Sequence, residues 1–134
     1  MKRIVDLLRI EPLPVDWMVT KPKTPDEAIF LLTMHAFLGV EEEMEFLEAH
    51  TRLSFVRKLM PTVGMWILEC WIEEELAARF RELGILLLDD AAELILRGTY
   101  DNAVRGDYNL EELVEETKCY WRGLGCPDGV PEIA

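Results

Sequence analysis

The sequence predicts an all-α protein, a single-domain bundle of about five helices with an extended, proline-containing N-terminal arm. Three observations point there. Apolar residues recur at spacings of three and four through most of residues 24–122. Cap residues, Thr24, Thr62 and Asn109, stand just ahead of such runs. No two alternating apolar stretches flank a short turn as a hairpin would require. At 134 residues, half of them hydrophobic, the chain is long enough for one domain with a real core. The division expected is an N-terminal helix or arm over 1–23, a helical core over 24–122 and a tail over 123–134.

Residues 3–10, RIVDLLRI, suit two turns of amphipathic helix, with a short strand as the alternative. Pro12, Pro14 and Pro22 then interrupt regular structure, so residues 11–23 read as an arm. Its Leu13, Val15, Trp17, Met18 and Val19 need a surface, either on this domain or on a second subunit. The first clear helix opens at Thr24, with Pro25 at its first position and Glu27 three residues after the cap. It reaches about residue 38, is apolar nearly all round, and is expected to be buried; Gly39 interrupts it. Glu41, Glu42 and Glu43 suit the positive end of a second helix. There Phe46, Ala49, Leu53, Val56 and Met60 form a seam, Glu48 and Arg52 make an i,i+4 pair, and Pro61 ends the run.

Residues 62–83 read as the central helix around which the rest is arranged. Thr62 caps it, and within 63–72 the only charge is Glu69, so that half has almost no wet face. Beyond it Leu76, Phe80 and Leu83 continue an apolar stripe begun by Met65, Leu68 and Ile72, and Gly84 closes the helix. Residues 85–88 form an apolar connector, with a buried strand as the alternative. Asp89 or Asp90 caps a helix that ends near residue 97, with Gly98 as its stop. Residues 98–109 look turn-rich. Asn109 caps a last helix over 110–122, with Leu110, Leu113, Val114, Thr117, Tyr120 and Trp121 facing inward.

Charge narrows the function. With 26 acidic against 14 basic residues the net charge is -12, so a phosphate backbone is repelled and direct nucleic-acid binding is not expected. Glutamine is absent, serine occurs once and asparagine twice, a depletion of amides that fits a thermophilic source. The longest uncharged apolar run, residues 28–38, is short of the roughly 20 residues a bilayer crossing needs, and no secretory signal is visible. A soluble, cytoplasmic protein without membrane contact is expected. Three cysteines make no disulfide framework; Cys70 reads as packing, while Cys119 and Cys126, seven apart around Gly123 and Gly125, are a possible disulfide.

No phosphate loop, nucleophile elbow or dinucleotide glycine pattern occurs, and no cofactor is expected. Neither histidine has a glutamate three residues before it, as a helical di-metal carboxylate site would require. The remaining metal candidates are Glu69, a lone carboxylate in an apolar half-helix, and His35 on the first buried helix. The acidic runs 41–43 and 73–75 read as solvated faces. The leading function is therefore a non-enzymatic interaction or assembly domain, acting as a homo-oligomer, most simply a homodimer, or binding a protein partner. Its interface candidates are Trp17, Met18, Trp66, Trp71 and Trp121, since aromatic residues are favoured in interface cores. The alternatives are a metal-dependent enzyme built on Glu69, His35 and carboxylates from the run Glu41 to Glu45, and an acidic regulator that mimics nucleic acid.

Overall fold

The computed structural model describes residues 20–36 and 41–131, and they are helical with no strand among them. Among the described residues six α-helices follow one another: α1 (Pro25–Ala36), α2 (Glu41–Glu48), α3 (Arg52–Leu59), α4 (Glu74–Glu82), α5 (Leu88–Arg105) and α6 (Leu110–Gly123). None of them is long and apolar enough to cross a membrane. Residues 1–19, with the predicted first helix and the part of the arm that holds Trp17 and Met18, lie outside the described residues, as does the side chain of His35.

Helix α1 starts as the sequence predicts. Thr24 Oγ1 accepts from the Glu27 amide at 3.1 Å, and the Glu27 carboxylate accepts from the Lys23 amide at 2.8 Å, one residue ahead of the cap. It is not buried all round, however. Ala28, Ile29 and Leu32 are in the core, while Phe30 and Met34, one turn apart, are exposed.

The predicted second helix is cut in two. Thr51 and Ser54 form a reciprocal capping box, each hydroxyl accepting from the other's amide, so the chain breaks after α2 and restarts at Arg52. The Glu48–Arg52 pair is not made, and Leu53 of the expected seam is exposed. Pro61 does not end this helix. The chain continues from Arg52 to Trp71 through two wide turns, Met60–Gly64 and Ile67–Trp71. In each a backbone amide bonds five residues back, Met65 to Met60 and Ile72 to Ile67. Proline lacks the N–H and its ring collides with the carbonyl four residues earlier; widening the turn relieves both problems. Thr62 is accordingly not a cap but donates to the Leu59 carbonyl at 3.4 Å. The break predicted at Pro61 falls instead at Ile72 and Glu73, where the backbone extends before α4 begins. Gly84 closes that helix with φ +85°.

The organising element is α5. It touches α1, α2, α3, α4, α6 and both wide turns, and buries Leu94, Ile95 and Leu96 in succession, so its core stretch has little wet face. Gly98 does not stop it. A Cβ there would lie 2.4 Å from Ile29 Cδ1 and 3.1 Å from Leu113 Cδ1, so this glycine is where α1 and α6 close on α5. The helix runs on to Gly106, whose φ of +75° lets its amide bond Asn102 O at 2.8 Å. The connector over 85–87 is neither helix nor strand, and Asp89 and Asp90 lie inside the first turn of α5. Asn109 caps α6 by accepting from the Glu112 amide at 3.1 Å.

Candidate functional site

Because α5 continues past Gly98, Arg97, Asp101 and Arg105 fall at four-residue intervals along one face. Glu112, Glu116 and Tyr120 do the same on α6. These two stripes border the seam between α5 and α6. Arg52, placed at the first turn of α3 by the Thr51 cap, reaches into it. Its Nη1 donates to Asp101 Oδ2 at 3.1 Å and its Nη2 to Glu116 Oε2 at 2.5 Å. Arg97 Nη1 donates to the same Glu116 oxygen at 2.9 Å, and Arg97 Nη2 to Thr117 Oγ1 at 2.6 Å. Arg105 pairs with Asp101 at 3.3 Å. Burial opposes the Arg52 charge, but Glu116 and Asp101 more than compensate and hold the guanidinium above its ordinary range. Arg97 and Asp101 are 12% and 9% exposed, so their mutual partners are what make these buried charges tolerable.

Hollows open along this seam. One of about 400 Å³ is walled by Arg52, Asp101, Arg105 and Glu116, with Tyr100 and Leu113 among its apolar surfaces. Another, of about 420 Å³, lies beyond Arg97, between Leu87, Asp89, Asp90 and Glu93 on one side and Thr117, Tyr120 and Trp121 on the other. There the Trp121 indole donates to Asp90 Oδ2 at 2.8 Å. Half-burial pushes the Asp90 carboxyl up, against the pull of that bond and of Arg97. At the opposite end the Tyr108 hydroxyl donates to Asp26 at 2.5 Å, tying the loop after α5 to the start of α1; burial and Asp26 push the phenol up.

Arginines and carboxylates share both hollows. Their walls carry no His, Cys, Ser or Lys, and Asp101 and Glu116 are engaged by arginines. Arginine, carboxylate, aromatic and apolar groups line them; of these, arginine and the aromatic residues are enriched in protein interfaces, whereas Asp and Glu are depleted.

The residues singled out from sequence are dispersed. Trp66 and Trp71 are inside the core, 3% and 1% exposed, with rings packed edge-on at 5.2 Å. The apolar surplus they represent is buried within this chain. Trp121 stands at the hollow beyond Arg97. Glu69 is exposed on the second wide turn, and its pairing with His35 falls outside the described residues. Among those residues no three His, Cys, Asp or Glu side chains are grouped as metal ligands. Cys119 and Cys126 are free thiols; Cys119 is exposed beside Glu115 and Arg122, and the Cys126 amide bonds Trp121 O at 3.0 Å. Cys70 is half-buried, and burial, then Glu69, push its thiol up. The arginines of the seam, which sequence reasoning missed, were written in the four-residue spacing of Arg97, Asp101 and Arg105. Reading Gly98 as a stop hid it. Comparison of the chain with protein families, with curated proteins and with solved structures finds no match.

Proposed function

We propose that the protein is a non-enzymatic interaction domain that binds a protein, either another chain or a second copy of itself, at the Trp121 end of the α5–α6 seam. One observation carries this reading. Tyr120, 61% exposed, stands with Leu87 and Trp121 at a hollow whose neighbouring arginine network ties the two helices together, and Leu88, next in sequence to that wall, and Leu124, one turn beyond Tyr120, are themselves 47% and 60% exposed. Apolar groups held in water on a rigid frame lose little further entropy when covered, which favours docking. The polar rim supplied by Asp89 and Glu93 suits the edge of such a contact.

The test is affinity capture with chemical cross-linking in cells of the source organism, comparing the wild-type chain with the double variant Tyr120→Ala, Leu124→Ala. A partner cross-linked at α6 and lost from the variant supports the reading. So does a dimer in the native mass spectrum that the same substitutions dissociate. A wild-type chain that is monomeric and recovers nothing the variant does not would overturn it.

A further inference from the structure

The same hollow differs in charge from its neighbour. The walls beyond Arg97 carry four carboxylates, Asp89, Asp90, Glu93 and Glu116, against one guanidinium. Arg97 is occupied by Glu116 and Thr117, and Asp90 by the Trp121 indole. That leaves Asp89 and Glu93, both exposed, one turn apart on α5 and making no ion pair among the described residues. Facing them across the hollow is Tyr120, 61% exposed, with its neighbour Trp121 packed edge-on at 5.3 Å. The first turn of α5 accounts for Asp89 through the helix dipole, but not for Glu93 beyond that turn, nor for a large exposed aromatic ring opposite both.

We infer that this hollow receives an arginine side chain from a basic segment of the partner protein, its guanidinium lying on Tyr120 and pairing with Asp89 and Glu93. The inference rests on the interaction reading above and names the chemistry of its partner. A planar guanidinium can stack on a ring and at the same time donate to carboxylates on either side, which the compact, strongly hydrated ammonium of lysine does less well. Charge argues against a second copy as the occupant: two chains of net charge -12 repel, whereas a basic segment is attracted over a distance. Leu87, in the wall of the hollow, offers apolar surface to the methylene stem of such a side chain.

The test uses the full chain, labelled with nitrogen-15, and three synthetic 12-residue peptides that are identical except for arginine, lysine or glutamine at two central positions. Calorimetry and amide spectra are recorded at low salt. The expected result is saturable binding of the arginine peptide, about tenfold tighter than the lysine peptide, with shifts centred on the Trp121 indole N–H, Tyr120 and Glu93. Tyr120→Ala, and separately the pair Asp89→Asn, Glu93→Gln, should each weaken binding by about tenfold. Glu74→Gln with Glu75→Gln, on the acidic start of α4, should leave it unchanged. These positions are all exposed, and circular dichroism verifies that each variant stays folded. Equal affinity for the arginine and lysine peptides, shifts spread over the acidic surface, or no saturable binding would each overturn the inference. If that happens while captured partners still depend on Tyr120 and Leu124, the arginine assignment falls and the interaction reading stands.

Discussion

At the scale of single residues, two glycines of the same chemistry have opposite consequences. Replacing a helical glycine by alanine ordinarily stabilises by up to about 1 kcal/mol. At Gly123, in the last turn of α6, a Cβ would meet nothing within 4 Å, so Gly123→Ala should stabilise by roughly 0.5 kcal/mol. At Gly98 the new Cβ would strike both Cδ1 and Cγ1 of Ile29, a side chain with no exposed surface. Overpacking outweighs propensity there, and Gly98→Ala should destabilise by about 1–2 kcal/mol in denaturant unfolding. If both substitutions stabilised alike, the close approach of α1 to α5 would not be as described. Asp90 carries a pH-dependent expectation. Its carboxyl, raised by half-burial, binds a proton more tightly in the folded than in the unfolded chain. Between the ordinary carboxylate range and the raised value the folded state holds more protons, so stability from this group falls as pH rises through that window. Asp90→Asn keeps an oxygen for the Trp121 indole and removes the charge. Its Tm relative to wild type should therefore climb from about pH 4 to pH 7; a difference flat over that range would mean the carboxyl is not perturbed.

At the scale of elements, the start of α1, the Gly84 closure and the cap of α6 could be read from sequence because each depends on a few adjacent residues. Thr24, Gly84 and Asn109 act on backbone groups within five positions. The misread boundaries share another cause. Pro61 and Gly98 carry strong local stop signals, and tertiary packing overrides both, through the wide turn at Met60–Gly64 and the contact of Gly98 with Ile29. Thr51 and Ser54 form a capping box with serine where glutamate is the usual signature. The seam was hidden with Gly98, since Asp101 and Arg105 gain a common face with Arg97 only if the helix continues. Packing of α5 on α6 thus depends on polar groups as well as on Leu113 and Val114. Glu116→Ala would leave the buried Arg97 without its carboxylate and Arg52 with one partner in place of two. A destabilisation of ~1–2 kcal/mol is expected, below that of a fully buried pair because Glu116 is itself 37% exposed. Arg79→Ala, which breaks only the exposed pair with Glu82, should change stability by less than about 0.5 kcal/mol. Similar losses from the two in urea unfolding would show that the seam network contributes no more than a surface pair.

At the scale of the whole molecule, charge acts in two directions at once. A net charge of -12 on a 134-residue chain repels itself when compact and attracts a basic partner when the two are apart. Salt weakens both effects, with opposite signs for folding and for binding. Raising ionic strength from about 0.01 M to about 0.15 M shortens the screening length from roughly 30 Å to roughly 8 Å. Repulsion among the first turns of α4, α5 and α6, each of which carries two acidic residues, is then damped. The seam pairs of Arg97 and Asp101 are largely withdrawn from solvent and should feel salt much less. Thermal unfolding of the free chain should therefore shift upward by a few degrees over this range. Affinity for the arginine peptide should fall over the same range, by about tenfold if the contact is mainly an exposed ion pair and by less as Tyr120 and Leu87 contribute more. Measured together, the two slopes separate the partners that a hollow walled by carboxylates and by Leu87, Tyr120 and Trp121 could accept. A rise in Tm with no loss of affinity would assign the binding to the apolar residues alone. A fall in both would mean that surface ion pairs, rather than the core around α5, dominate stability.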